Sequence, residues 1–210
     1  MMSKDAESGI LLLQYRNNIK KEMFRKSIHL CSAFVPTFLD LSFFTTLALL
    51  LCALFAYSFS EILRLKGVNI PLVAKITEVA SRKRDENKFV LGPVTLVVGI
   101  ILAALFLDST GYHAGIYALA FGDGLASLFG KLFGRIHVAF TKGKTAAGSL
   151  ACFVAVFVTS FFVCQNATYA FVLAFSAMII EIIPMTDLDN IFIPVVIGAL
   201  AMFLVNYAPF

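Results

Sequence analysis

The sequence contains no tryptophan, and only 14% of its 210 residues are charged against 60% that are hydrophobic. A soluble globule of this length needs more polar surface than that to cover itself, so a water-soluble domain is excluded. Cysteine is scarce as well. Cys31, Cys52, Cys152 and Cys164 fall inside or at the ends of apolar runs with no metal-like spacing, which assigns them to packing. No cleavable leader is expected, because the apolar run Ile10 to Leu13 is only four residues long and no small-residue cleavage site follows it.

What is present is a series of apolar stretches at about 27–39, 42–63, 89–107, 112–133, 146–164, 167–183 and 191–207. Most approach the ~20 residues that a helical crossing of a bilayer needs. The first is short: 13 residues reach only about 20 Å as a helix, so it is expected to be tilted, re-entrant or extended by the helix before it. The expected fold is all-α, a multi-pass transmembrane helix bundle of about seven spans. Residues 1–26 are expected to form an N-terminal arm and 27–207 a single transmembrane domain.

Alternate threading gathers the arm and the 64–88, 131–145 and 184–190 connections at one membrane face. The turns near Asp40, Asp108 and Asn166 and the C-terminus fall at the other. Lysine and arginine are missing from that second face altogether, since the arm holds six, the 64–88 loop seven and the 131–145 loop four of the 17 in the chain. So complete an asymmetry places the basic face in the cytoplasm. Two basic stretches on that side have helical apolar spacing, Ile10–Lys26 and the 67–87 loop with Leu72, Val73, Ile76, Val79 and Ala80, and both read as amphipathic surface helices.

The fourth stretch carries the densest chemistry. Ala114, Ala118, Gly122, Ala126, Gly130 and Gly134 recur every four residues, leaving one stripe almost without side chains, against which another helix can pack closely. Asp123, Ser127, Lys131 and Arg135 form a second stripe beside it, with Asp123 about two turns inside the membrane. An ionisable group at that depth either serves a site or is paired structurally with a lysine of the bundle. The following loop, Thr141-Lys142-Gly143-Lys144-Thr145-Ala146-Ala147-Gly148-Ser149, sets lysines, glycines and hydroxyls directly before a span. That composition suits a polyphosphate, although a basic juxtamembrane loop has the same look, and no Walker A spacing occurs. In the last inner connection Glu181, Asp187, Asp189 and Asn190 cluster with no lysine or arginine nearby, which suits Mg²⁺ or an acidic turn. Arg25, Lys26 and His29 occupy neighbouring helical positions at the inner boundary, where they suit a phosphate or headgroup, or a buried contact for His29.

Taken in order, Arg25-Lys26-x-x-His29, Phe121-Gly122-Asp123-Gly124-Leu125-Ala126 with Gly130-Lys131 and Gly134-Arg135-x-His137, Lys144-Thr145-x-x-Gly148-Ser149, and Asp189-Asn190-x-x-x-Pro194 resemble the CTP-dependent lipid kinases, a group that includes dolichol kinase, phytol kinase and the yeast-type diacylglycerol kinase. The resemblance runs from about residue 20 to 207. It implies transfer of the γ-phosphate of CTP to the hydroxyl of a membrane lipid, with CTP, Mg²⁺, the lipid and the bilayer as partners and no nucleic acid; self-association is left open. On this resemblance Lys131, Arg135, Lys142, Lys144, Thr145, Gly148 and Ser149 face the nucleotide, and Asp123, Asp187 and Asp189 hold the metal. Asp123, Lys144 and Asp189 are the expected catalytic set, with Arg25, Lys26, His29, Glu181 and Asn190 as weaker candidates. The setting is a bacterial or archaeal cytoplasmic membrane, or the endoplasmic reticulum, with the site facing the cytoplasm. The related phosphatidate cytidylyltransferases are the nearest alternative, but their C-terminal Lys-Asp and Pro-Gly-His-Gly-Gly signature is replaced here by Asp187-Leu188-Asp189-Asn190. A small transporter component is the alternative from another class, since a buried Asp and a Gly-rich span suit it too, although no internal repeat is visible.

Overall fold

A computed structural model describes residues 4–68, 77, 88–138, 141 and 143–208. Its order is α1 (Lys4–Cys31), a 3₁₀ turn (Ser32–Phe34), α2 (Val35–Leu41), α3 (Phe43–Leu65), α4 (Gly92–Phe106), α5 (Ser109–Phe133), α6 (Ala146–Cys164), α7 (Ala167–Ile182) and α8 (Asp189–Tyr207). The described residues form no named strand, so the all-α bundle expected from composition is what is found. Local signals explain where these helices begin. Pro36 and Pro93 occupy first turns, where a missing N–H costs nothing. Asp108 and Asn166 cap α5 and α7 by accepting from Gly111 N at 2.7 Å and Thr168 N at 2.8 Å.

Four helices, α3, α5, α6 and α8, are long and apolar enough to cross a membrane, and α4 and α7 are shorter apolar helices. The chain is an integral membrane protein. Its large exposed side chains, among them Phe44, Phe55, Phe59 and Phe162, face outward, where a bilayer and not water is their solvent. The short first stretch is resolved by continuity: α1 runs unbroken across residue 26 to Cys31, and helical backbone continues through the 3₁₀ turn and α2 to Leu41. The apolar stretch is therefore continuous with the helix before it. The expected surface helix at 67–87 lies mainly outside the described residues.

The core runs along α5, α6, α7 and α8, through Ile116, Leu119, Val156, Leu173, Ile193 and Ile197, all buried. Pro194, inside α8, has no N–H to give to the carbonyl of Asn190 one turn back. Gly99 of α4 packs against that carbonyl so closely that a β-carbon would collide with it. All four cysteines are free, and Cys152 is buried.

The two ends of the bundle differ in the way alternate threading requires. At one end Tyr112 donates to Asp40 at 2.5 Å, His113 Nε2 lies 3.1 Å from Asp40, Asn206 donates to Asp108 at 2.8 Å, and the Tyr169 hydroxyl donates to the carbonyl of Ala208. At the other end lie the lysine-bearing segments. There the fully buried Glu61 accepts from Arg64 Nε at 2.8 Å and from Val90 N at 2.9 Å, while Arg64 Nη2 donates to Lys88 O at 2.8 Å. This clamp fixes the return of the 64–88 connection into α4.

Sidedness is directly testable. In a background with the four native cysteines replaced by alanine, Lys66→Cys and Arg135→Cys should react with a membrane-impermeant maleimide from one side of sealed vesicles, and Thr168→Cys from the opposite side. Labelling of all three from the same side would refute the threading.

Candidate active site

The centre of the basic end is set by α1 against α5. Positions 22, 26 and 29 recur at helical spacing and put Glu22, Lys26 and His29 on one face of α1, all buried. Facing them, α5 departs from regular geometry in a π turn, Ala118–Asp123, that ends on Asp123. Such a turn inserts one residue into the helix and re-aims the side chains beside it. Asp123 is 5% exposed, and its Oδ2 accepts from Lys26 Nζ at 2.5 Å, with His29 Nδ1 at 3.1 Å. Between the alternatives the sequence left for Asp123, the structure shows the lysine pairing, and the partner comes from α1.

One turn toward the membrane face, Glu22 is the hub of a second cluster. Its carboxylate accepts from Ser127 Oγ and Arg25 Nη2, each at 2.5 Å, and from Lys131 Nζ. Burial pushes the pKa of this carboxyl up, but the Arg25 guanidinium and the bonds from Lys131 and Ser127 outweigh burial and lower it to about 2. Glu22 is thus ionised at every working pH. Sequence reading overlooked it; the signal was its place one turn before Lys26 on the stripe that also carries His29.

The loop after α5 folds back on itself. Val138 N donates to Lys144 O at 2.9 Å and Ala146 N to Ile136 O at 3.0 Å, pairing His137 with Thr145. The reversal uses Gly143 at φ +97°, a conformation that L side chains rarely adopt. Thr145 then caps α6 by accepting from Gly148 N at 3.3 Å. Gly148 lets α6 approach α5, since a β-carbon there would stand 2.7 Å from the Ala126 carbonyl oxygen. Lys144 Nζ donates to Glu181 Oε1 of α7 at 2.7 Å, and Ser149 Oγ to Glu181 Oε2 at 3.4 Å.

These groups enclose a cavity of about 640 Å³ at the basic end. Lys26, Asp123, Lys131, Lys144, Thr145, Gly148, Glu181 and Asp189 line it, joining segments from α1, α5, the 134–145 loop, α7 and α8. A smaller cavity of about 30 Å³ adjoins it, walled by Arg25, His29, Asp187 and Asn190 and sharing Lys26, Asp123 and Asp189 with the larger. Most of the residues singled out from sequence therefore meet at one place. Arg135 is exposed and is not on either wall, and Ser149 reaches the site through Glu181. Lys142 lies outside the described residues. Asn190 ties α8 to α4, its Nδ2 donating to Thr95 Oγ1 at 3.0 Å and Gly92 O at 3.2 Å. Thr186, a β-branched residue at φ +60°, sits on the larger wall. Such a conformation is uncommon enough to mark a constrained turn.

Among the described residues no three His, Cys, Asp or Glu side chains converge into a ready-made metal site. Asp123 is engaged by Lys26 and His29, while Asp187 and Asp189 stand on the cavity walls. That donor set fits Mg²⁺ in its usual nucleotide form, where one or two carboxylates share the ion with phosphate oxygens and water. It does not form an all-protein cage.

The Lys26–Asp123 contact predicts non-additive mutations. Breaking a buried pair from one side typically costs about 3–5 kcal/mol, whereas replacing both partners with apolar or neutral groups is often near neutral. Asp123→Asn should therefore lower the thermal unfolding temperature in detergent, and adding Lys26→Met should restore most of the loss. A double variant no more stable than Asp123→Asn alone would show that the pair does not carry this energy.

No protein-family model matches the chain, and no solved structure does. The chain is 26% identical over 137 residues to "Probable phytol kinase, chloroplastic" of Triticum aestivum, covering 57% of this chain and 46% of that one. It is 25% identical over 209 residues to "Dolichol kinase EVAN" of Arabidopsis thaliana, covering 88% and 36%, and 29% identical over 83 residues to "CTP-dependent diacylglycerol kinase 1" of Eremothecium gossypii, covering 40% and 26%. The chain thus spans about half the length, or less, of these curated relatives. At low identity, but across three differently named lipid kinases, the family this chain resembles is that of the CTP-dependent lipid kinases.

Proposed function

We propose that this protein is a CTP-dependent lipid kinase that transfers the γ-phosphate of CTP to the hydroxyl of a membrane lipid. The observation that carries the reading is the 640 Å³ cavity, into which three lysines from three separate segments converge at the basic end of the bundle. Its volume suits a small organic ligand, and its position suits one substrate from water and one from the bilayer. The names of the relatives point to an alcohol acceptor, a polyprenol, phytol or diacylglycerol.

In this reading Lys131 and Lys144, with Lys142, neutralise the polyphosphate, and Thr145 and Gly148 shape the backbone against it. Phosphoryl transfer asks mainly for positioning and charge stabilisation. Asp187 and Asp189, with Asp123, would hold Mg²⁺, which would supply charge neutralisation to the polyphosphate. The lipid hydroxyl oxygen forms the new bond to the γ-phosphorus, the bond to the β-bridging oxygen breaks, CDP leaves, and a cavity carboxylate takes the hydroxyl proton. Lys26 and His29 keep Asp123 in place. The excess of lysine and arginine at this end supports a site on the cytoplasmic side of a cytoplasmic or endoplasmic-reticulum membrane.

The fate of each phosphate tests the reading. With CTP labelled separately at α and γ and offered with phytol, a polyprenol, diacylglycerol or phosphatidate, only the γ label should enter lipid, and phosphatidate should be inert. Transfer of the α label to phosphatidate with release of pyrophosphate would make the protein a cytidylyltransferase, and no Mg²⁺-dependent binding of CTP at all would return it to the transporter class.

A further inference from the structure

The smaller cavity, of about 30 Å³, is walled by α1, α5 and the starts of α4 and α8, and it joins the larger one at Lys26, Asp123 and Asp189. Its wall has two characters. One part is apolar, formed by Ile28 of α1 and by Val90, Pro93 and Leu96 at and just before the start of α4. The other part includes His29 and Asn190, both buried, and neither has its hydrogen-bonding capacity filled. His29 is 6% exposed. Its Nδ1 lies 3.1 Å from Asp123 in an ionic contact that lacks hydrogen-bond geometry, and its Nε2 has no partner among the described residues. Asn190 spends its Nδ2 on Thr95 and Gly92, which leaves Oδ1 without a partner among the described residues. Buried polar groups in folded proteins are hydrogen-bonded, so two left open around one cavity mark the place of a ligand group or a water.

The chemistry of the wall narrows the group. About 10–15 Å³ is enough for one water-sized group, so a cavity of about 30 Å³ takes a hydroxyl and its carbon. Its size and the carboxylates of Asp123, Asp187 and Asp189 exclude a phosphate. A water or a hydrated cation satisfies the polar part and gains nothing from the apolar one. A hydroxyl on a hydrocarbon chain suits both, because it donates and accepts, fills His29 Nε2 in either tautomer, and rests its carbon against Ile28 and Leu96. The shared wall decides what that hydroxyl faces. Lys26, Asp123 and Asp189 belong to both cavities, so a group in the smaller one meets, across those side chains, whatever the larger one holds.

We infer that the smaller cavity is the acceptor-hydroxyl subsite, that it takes the hydroxymethyl end of a lipid alcohol, and that His29 and Asn190 hold that hydroxyl toward the shared wall. The inference rests on the kinase reading for the word acceptor, but the binding it describes is measurable without catalysis. Gly92 offers a way to close the subsite. It lines the cavity, and a β-carbon there would meet nothing within 4 Å, so a larger side chain at this position enters the cavity without pushing a helix aside.

The test uses the full-length protein in nanodiscs and a long-chain primary alcohol bearing a diazirine close to its hydroxyl end. After irradiation without nucleotide, the label should map to peptides covering 25–29 and 90–96. The same alcohol without the diazirine should displace it, and an alkane of equal length should need about tenfold more, because it leaves the polar part of the wall unfilled. Gly92→Leu should cut labelling about tenfold, as the loss of roughly two buried methylenes would, and raise KM for the alcohol to match, with CTP binding unchanged. The milder Gly92→Ala should act in the same direction. His29→Leu, of similar bulk, should keep the label and erase the preference for alcohol over alkane, whereas His29→Gln, which can still hydrogen-bond, should keep most of that preference. A merely structural His29 would shift the unfolding temperature and leave the preference intact. Label that maps elsewhere, an alkane that competes as well as the alcohol, or a preference untouched by His29→Leu would each overturn the inference. Alcohol-specific label in the subsite without transfer of the γ label to any alcohol would leave the subsite standing and refute the kinase reading alone.

Discussion

The bundle depends on one buried contact, the ion pair of Lys26 with Asp123. Neither group can be taken out of water alone without a cost of several kcal/mol, so each is tolerable at this depth only because the other is there. The pair fixes α1 against α5 in both rotation and translation, because slipping α1 by one turn would bring Glu22 to face Asp123 and set two carboxylates together. In the observed register Glu22 falls one turn lower and meets Lys131, Ser127 and Arg25 instead. Two ionic contacts on one stripe of α1 therefore admit a single alignment. A helix whose outer face is ordinary apolar and basic sequence becomes a wall of the cavity.

That alignment needs backbones that come close. The small residues of α5 serve this on the side away from α1, where Gly148 of α6 approaches the Ala126 carbonyl and carries Thr145 and Lys144 toward the cavity with it. The π turn serves it on the other side by aiming Asp123 at α1. Glu61 performs the matching task for the 64–88 connection by fixing Val90, which with Gly92 and Pro93 walls the smaller cavity. Packing between the helices and placement of the polar groups are thus one problem, because Asp123, Thr145 and Val90 are each held beside a close helix contact.

Much of this was legible in the sequence and some was not, for physical reasons. The spans and the basic end follow from hydropathy and from the absence of lysine and arginine in alternate connections, properties each segment carries by itself. Asp123 stood out because a carboxylate two turns inside an apolar run is costly wherever its partner lies. The identity of that partner was hidden, since Lys26 is 97 residues away and the pairing depends on the register of α1. Glu22 was missed because an acidic residue among lysines and arginines has the look of a solvated face, and Glu61 because it stands at the end of its apolar stretch beside Arg64; only burial marks either. The continuity of α1 through residue 26 was obscured by the change from basic to apolar composition at that point, which marks where the membrane begins but not where the helix ends. The π turn leaves no mark in composition at all.

The lysines of the larger cavity share a further property that no single residue reveals: each is matched to a carboxylate, Lys26 to Asp123, Lys131 to Glu22 and Lys144 to Glu181. A cavity of unpaired lysines would repel itself during folding and attract any anion. Pre-pairing removes both liabilities, and it also means that affinity for a polyphosphate is a difference between two ionic states, not a sum over lysines. If phosphate oxygens take over Lys131 or Lys144, Glu22 or Glu181 is left charged and partly desolvated beside a second anion, which is unfavourable unless further positive charge arrives with it. On the kinase reading, this is the electrostatic reason that the donor set on the walls suits a hard divalent cation together with the nucleotide and not by itself. On the same reading, selectivity would follow from the carboxylates as much as from the lysines, because an anion that brings no counter-charge competes poorly with them.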